Sequence, residues 1–123
     1  MLELTLENFE EEILNSLKPC LVTFKHDHCH LCRGLSSVLG HLGYKYGEQF
    51  KFAYIDSFAQ EHLRSMFDVE GVPTVFLFMG GDAIEVEYPE KPSPMSGYSE
   101  KYLTNFLDRV LDGEYDEHYE YDE

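Results

Sequence analysis

Apolar residues recur at helical spacing in several segments of the chain. This spacing predicts helices over about 8–17, from Leu31 to about Tyr46, from Ala59 to about Phe67, and from Ser99 onward. The second of these helices contains three glycines, each of which costs about 1 kcal/mol relative to alanine, so burial of its leucine face must outweigh them. The glycines are Gly34, Gly40 and Gly43.

Two of the predicted helices begin with polar residues spaced like a capping box. In a capping box, the first side chain and a Glu or Gln three residues later each bond to the other's backbone. The two pairs are Asn8 with Glu11 and Ser57 with Gln60. We therefore expect the side chains of Asn8 and Ser57 to cap the helices that follow them.

Short runs rich in β-branched and aromatic residues predict four strands. They are CLVTF at 20–24, KFAYID at 51–56, and two strands in VPTVFLFMGGDAIEVEY that are joined by a turn at Gly80-Gly81-Asp82. A helix between successive strands implies right-handed crossovers and parallel pairing, whereas the hairpin adds an antiparallel edge. The pattern predicts an α/β domain with a mixed sheet and helices on both faces.

The length, net charge and hydropathy of the chain argue against several classes of protein. The 123 residues, of which 43% are hydrophobic, fit a single domain. The net charge of −15 argues against nucleic acid and anionic membranes, because both are bound through Lys and Arg. The sequence has no apolar run long enough to span a membrane, and MLELTLENFEEEIL does not resemble a signal peptide. We expect a cytoplasmic monomer if the chain is complete, and a protein of the secretory compartment (endoplasmic reticulum) if it is an excised domain.

The end of the chain differs in composition from the rest. Residues 112–123 contain seven acids and no Lys or Arg. Such a run is typical of a solvated terminus that does not pack against a core. We predict a domain over residues 1–112 and an acidic C-terminal tail over residues 113–123.

Two of the three cysteines lie close together in HDHCHLC, at 26–32, between a predicted strand and a predicted helix. The free N–H groups and the dipole at the helix start should favour the thiolate of Cys29 and lower its pKa. Cys32 follows one helical turn later and should be more buried. An exposed attacking thiol beside a resolving thiol is the arrangement that thiol–disulfide exchange requires. Cys20 lies in an apolar strand, so we expect a buried, inert thiol.

Three histidines accompany the pair: His26, His28 and His30. They can place positive charge or hydrogen bonds near the Cys29 thiolate and so tune its pKa. The same histidines and the two cysteines are also possible zinc ligands, but one short segment that enters a helix cannot aim four ligands at one point. We predict no specific metal site, and metal binding by this HxHCHxC segment stands as an alternative.

Over roughly residues 2–112 the chain resembles the thioredoxin-like superfamily. The resemblance rests on FKHDHCHLCR, on YIDS and on VEGVPTVFLFMGGD. ELTLENFEEEI and GVPTVFLF look closest to a protein disulfide isomerase-type domain, here with a CHLC motif. The resemblance implies a thioredoxin fold and disulfide exchange with protein substrates. It also implies no cofactor beyond the redox pair, and an electron donor or acceptor that the sequence does not identify.

The resemblance also implies residue roles. Cys29 would be the nucleophile and Cys32 the resolving thiol. Pro73 would be a cis-proline beside the disulfide, and the backbone of its neighbour Val72 would bind an extended substrate segment.

Several positions depart from the family pattern, and two of them bear directly on the redox chemistry. His28 stands where a tryptophan is usual, and Thr23 stands where the family often buries an acid that moves a proton for the resolving cysteine. These departures keep a second function open, a thioredoxin-like binding module with little redox turnover. The polar His30 between the cysteines should stabilise the reduced pair, so we predict a pair that is more oxidising than that of thioredoxin.

Overall fold

The sheet has five strands, as seen in a computed structural model that describes residues 1–114. Their order is β1-β3-β2-β4-β5. In this sheet β3 pairs in parallel with both β1 and β2, whereas β4 pairs antiparallel with β2 and with β5. The strands are β1 (Leu2–Leu4), β2 (Cys20–Lys25), β3 (Lys51–Asp56), β4 (Thr74–Met79) and β5 (Asp82–Glu85).

Helices cover both faces of the sheet. They are α1 (His30–Tyr46), α2 (Glu61–Met66) and α3 (Glu100–Leu111), together with a π-helical turn at Glu10–Leu14. The buried side chains of α1 and α3 form one apolar cluster with the sheet, and those of α2 and the π-helical turn form the other. The predicted α/β thioredoxin fold is confirmed. Among residues 1–114, none of the helices has both the length and the apolar character needed to cross a membrane.

The first strand was missed in the sequence analysis. Leu2, Glu3 and Leu4 pair in parallel with Ala53–Ile55 of β3, and Leu4 is fully buried. Three residues are too few for periodicity to separate a strand from other structure. Only the pairing with β3 defines this strand.

The helix predicted over 8–17 is reduced to the π-helical turn, and the predicted cap at Asn8 is wrong. The Asn8 Oδ1 atom accepts a hydrogen bond from the backbone N–H of Thr5 at 2.8 Å, and its Nδ2 group donates to the carbonyl of Glu3 at 3.1 Å. Its side chain therefore secures the end of β1 and does not cap the turn that follows.

The predicted cap at Ser57 is also wrong. Asp56 Oδ1 accepts hydrogen bonds from the N–H groups of Phe58 at 2.9 Å and Ala59 at 3.1 Å, and α2 begins later, at Glu61. The Ser57 hydroxyl is buried and has no hydrogen-bond partner among the described residues. Asp56, and not Ser57, therefore caps this turn.

The other boundaries agree with the sequence analysis. Ser99 caps α3, since its Oγ accepts a hydrogen bond from the N–H of Tyr102 at 3.1 Å. The hairpin turns at Gly80 and Gly81, whose φ angles of 60° and 88° suit glycine, and Asp82 already belongs to β5.

Parallel pairing across a helix holds from β2 to β3 but not from β3 to β4. Strand β4 lies beside β2 and runs antiparallel to it. The chain therefore leaves the sheet at Asp56 and re-enters it at Thr74 from the same end.

Candidate active site

The two cysteines stand at the start of α1, just beyond the end of β2. Cys29 is the N-cap residue, with extended backbone angles, and Cys32 lies in the first turn of the helix. A disulfide joins them, with a Cα–Cα distance of 5.1 Å. Cys29 is partly exposed, whereas Cys32 is 2% exposed. The exposed and buried members of the pair are those that the sequence predicted.

The helix start places positive potential at Cys29. The backbone N–H of Cys32 donates to Cys29 Sγ at 3.1 Å, and the first turn of α1 contains no acidic residue. A sulfur that accepts N–H groups at a helix N-terminus is favoured as a thiolate when the pair is reduced.

The three histidines do not form a cluster. The ring of His26 stacks on that of Phe58, with 4.4 Å between centroids, and its Nδ1 accepts from the backbone N–H of His28 at 3.2 Å. His28 and His30 are exposed. In the part of the chain that the structure describes, no three His, Cys, Asp or Glu side chains are grouped to hold a metal ion. The metal-binding alternative stays an untested alternative.

A second segment, forty residues further along the chain, completes the site. The Val72–Pro73 peptide bond is cis, as the resemblance implies, and Pro73 is buried. The carbonyl oxygen of Val72 lies 3.9 Å from Cys29 Sγ. Thr74 closes the turn, because its hydroxyl donates to the carbonyl of Gly71 at 2.6 Å. The backbone of Val72 therefore lies beside the sulfur that a substrate would meet.

Thr23 is a buried polar residue of β2. It is 2% exposed, and its hydroxyl has no hydrogen-bond partner among residues 1–114. Its register partners are Tyr54 of β3 and Val75 of β4. A hydroxyl does not take up a proton near neutral pH, so Thr23 itself cannot act as a base for Cys32.

Sequence reasoning missed a lysine near the start of α1. Lys25 Nζ lies 3.4 Å from Ser36 Oγ and 4.2 Å above the ring of Tyr54, and the Ser36 hydroxyl donates to the carbonyl of Cys32 at 3.0 Å. In the sequence, only the position of Lys25 at the end of β2 indicates that it lies near the cysteines. Its contact with Ser36 of α1 depends on how the helix packs on the sheet.

Sequence reasoning also missed a groove of about 500 Å³ beside the disulfide. It is lined by Leu31 between the cysteines, by the Val72–Pro73 turn and by Tyr88. Its walls come from four separate stretches of chain, so no pattern within one stretch predicts the groove. A larger groove of about 760 Å³, lined in part by Lys18, lies at the opposite end of the sheet from the cysteines, so we place the chemistry at the smaller one.

Known thioredoxins are similar in sequence to most of this chain. The model of the thioredoxin family matches residues 1–101. A thioredoxin of Allochromatium vinosum is 30% identical over 108 residues, which cover 88% of this chain and 94% of that protein. A thioredoxin of Acidithiobacillus ferridurans is 26% identical over 105 residues, covering 85% and 91%, respectively. Thioredoxin 1 of a Nostoc species is 26% identical over 102 residues, covering 82% and 95%.

Proposed function

Since the chain belongs to the thioredoxin family and is a thiol–disulfide oxidoreductase, we propose that its substrates are protein disulfides and protein thiols. One observation carries the proposal: the Cys29–Cys32 disulfide stands at the N-terminus of α1, against the Val72–Pro73 turn. The chemistry needs no cofactor, because the cysteine pair itself gains and loses two electrons.

Reduction of a substrate begins when the Cys29 thiolate attacks one sulfur of the substrate disulfide. The substrate S–S bond breaks, one substrate thiolate leaves, and a mixed disulfide joins Cys29 to the other half. The Cys32 thiolate then attacks Cys29 Sγ, which releases the second substrate thiol and forms the Cys29–Cys32 disulfide. Two electrons pass from the pair to the substrate, and oxidation of a substrate dithiol follows the same steps in reverse.

The burial of the two cysteines supports these roles. Cys29 is partly exposed and accepts an N–H group of the helix start, so it suits the first attack. Cys32 is buried beneath it and suits the resolving step. His28 and His30 are exposed beside the pair, whereas the ring of His26 stacks on Phe58. We propose that, of the three histidines, His28 and His30 have the larger direct effect on the pKa of the Cys29 thiol.

An extended substrate segment would lie along the Val72–Pro73 turn. Backbone groups at Val72 would pair with the backbone of the segment, which allows many side-chain sequences to bind. The 3.9 Å distance from the Val72 carbonyl to Cys29 Sγ supports this role, because a substrate bound there has its sulfur next to the nucleophile.

The partner that restores the reduced pair would be a reductase, as is usual for thioredoxins. We propose a cytoplasmic monomer. The relatives from Acidithiobacillus ferridurans and a Nostoc species are thioredoxins, and they lend no support to the secretory alternative.

The finer assignment, an isomerase-like exchanger, depends on the reduction potential. His30 between the cysteines is a polar group near the thiolate, and stabilising the reduced form raises the potential. We expect a potential above that of thioredoxin, which is about −270 mV. Titration against glutathione measures it, with His30→Pro as the comparison; a value at or below the thioredoxin level contradicts the isomerase-like assignment.

Insulin reduction by dithiothreitol tests the proposed function directly. The wild-type protein should accelerate the precipitation of insulin chains, and Cys29→Ser should lower the rate to that of dithiothreitol alone, because no mixed disulfide can form. Cys32→Ser, first reduced, then freed of dithiothreitol and mixed with insulin, should instead accumulate a covalent adduct with the substrate, visible on a non-reducing gel, because the resolving thiol is missing.

The control is Cys20→Ala, since Cys20 is fully buried in β2 and takes no part in the exchange. This variant should keep the wild-type rate. Equal rates for the wild type and Cys29→Ser would instead support the binding-module alternative, which the absence of an acid at Thr23 favours.

A further inference from the structure

The groove beside the disulfide is acidic. Three exposed carboxylates line it, those of Asp68, Glu70 and Glu85, and it includes the Val72–Pro73 turn. Within residues 1–114, its lining contains no Lys, Arg or His. A bound segment would therefore meet negative charge that no lining side chain neutralises.

Hydrogen bonds fix the backbone at two of these acidic residues, Asp68 and Glu85. Asp68 follows the C-cap of α2 and has a φ of 56°. Its N–H bonds to the carbonyl of Ser65 at 3.1 Å, and the N–H of Val69 bonds to the carbonyl of Arg64 at 3.0 Å. These two bonds form a Schellman motif, a rigid helix ending. Glu85 is the last residue of β5 and is paired in the sheet. The charges therefore flank the groove from two anchored elements.

The rest of the lining is largely apolar. Leu31 comes from the helix start between the cysteines, and Val72 comes from the turn. Tyr88 is 43% exposed, and its ring packs edge-on against the buried Tyr98, with 5.1 Å between centroids. A side chain with an apolar stem and a cationic end suits such a surface, and Lys and Arg have this form.

We propose that this groove selects protein substrates that carry Lys or Arg next to the reactive cysteine. The inference rests on the proposed function, since it assigns a substrate class to the same site. The carboxylates attract a cationic segment and repel an acidic one over about a Debye length. Basic neighbours also lower the pKa of the substrate thiol, which makes it a better leaving group in the exchange.

Three synthetic peptides test this selectivity. They share one sequence, in which a single cysteine is carried as a mixed disulfide with a coloured aromatic thiol, and the two residues that flank the cysteine are Lys, Ala or Glu. The reduced protein converts each peptide to its free thiol, releases the coloured thiol and ends as the Cys29–Cys32 disulfide. Each rate constant is divided by that of dithiothreitol with the same peptide, which removes intrinsic differences in leaving-group reactivity.

The wild-type protein should prefer the Lys peptide to the Glu peptide by about tenfold, as expected for a few exposed charge pairs. In about 1 M salt, where the Debye length falls to about 3 Å, the preference should largely vanish. The groove variant Asp68→Asn/Glu70→Gln/Glu85→Gln should reduce the preference of the Lys peptide over the Glu peptide to about twofold or less. Asn at position 68 tolerates the positive φ, so this variant should fold.

A matched control separates the groove from the overall charge of the protein. Glu48→Gln/Asp82→Asn/Glu114→Gln removes three exposed carboxylates at the opposite end of the sheet and should keep the wild-type preference. An equal loss of preference in both triple variants overturns the inference. So does a wild type that reacts equally with all three peptides, although the proposed function then stands. If no peptide reacts faster with the wild type than with Cys29→Ser, the proposed function fails and the selectivity fails with it.

Discussion

At the scale of single residues, the fold keeps some ionisable groups neutral. Tyr98 is 2% exposed beneath the groove, and burial raises its pKa from 10.0 to about 12. Burial likewise raises the pKa of the Cys20 thiol, which confirms Cys20 as a buried thiol. Both groups keep their protons in the folded protein at pH values where solvent-exposed Tyr and Cys side chains would lose them. They are therefore suited to a packed core and not to acid–base or nucleophilic chemistry.

Tyr98 should make the stability of the protein depend on alkaline pH. The unfolded chain releases this proton near pH 10, but the folded protein releases it at about 12. The fold favours the protonated form of Tyr98. Its contribution to the free energy of unfolding is therefore fully present below about pH 10 and declines as the pH rises to about 12, by roughly 1.4 kcal/mol per pH unit.

Denaturant unfolding across this range, for the wild type and for Tyr98→Phe, measures the effect. The wild type should lose about 2–3 kcal/mol more than the variant between pH 10 and pH 12. Parallel pH profiles for the two proteins would contradict the role of Tyr98.

At the scale of elements, the position of α1 depends on a close contact with the loop that precedes α3. A Cβ atom at Gly34 would overlap the carbonyl group of Met95, which is backbone and cannot rotate away. The same loop is held by a bridge between Ser93 and Gly97. Gly34 therefore lowers the helix propensity of α1 but lets the loop approach the turn that carries Cys32.

Gly34→Ala and Gly40→Ala form a matched pair. Both replace a glycine in α1, but a Cβ at Gly40 meets nothing within 4 Å. Gly34→Ala should destabilise the protein by about 3 kcal/mol, because backbone must move to make room. Gly40→Ala should stabilise it by up to about 1 kcal/mol through helix propensity. Urea unfolding of both variants measures this, and equal effects would show that the loop does not constrain α1.

At the scale of the whole molecule, the last element of the core marks the domain boundary that we propose. Val110 of α3 is 8% exposed, and α3 ends in a turn where the N–H of Gly113 bonds to the carbonyl of Val110 at 3.0 Å. Gly113 has a φ of 82°, which suits a helix ending. Of the acidic tail predicted over 113–123, residues 115–123 lie outside the described residues, so the boundary stays a prediction.

Ending the chain after Glu114 tests that boundary. The shortened protein loses five carboxylates and keeps every residue that the structure describes in the two apolar clusters. Its melting temperature should stay within about 2 °C of the full chain, since the stability of a domain comes mainly from its core. Its insulin-reduction rate should also be unchanged. A fall of many degrees would place part of the core beyond residue 114.

Local sequence determined much of the fold and the chemical centre of the site. The apolar spacing of α1 and α3 and the β-rich runs of β2, β3 and β4 are properties of neighbouring residues, and the structure confirms them. The placement of Cys29 and Cys32 one helical turn apart, after a strand, is also local. Periodicity and capping act over a few residues, so a single sequence displays them.

Only the tertiary structure decided which distant groups meet. Gly34 meets the backbone carbonyl group of Met95, and the acidic groove beside the disulfide is lined by four separate stretches of chain. Both features join residues that only the folded chain brings together, so no pattern within one stretch of sequence reveals them.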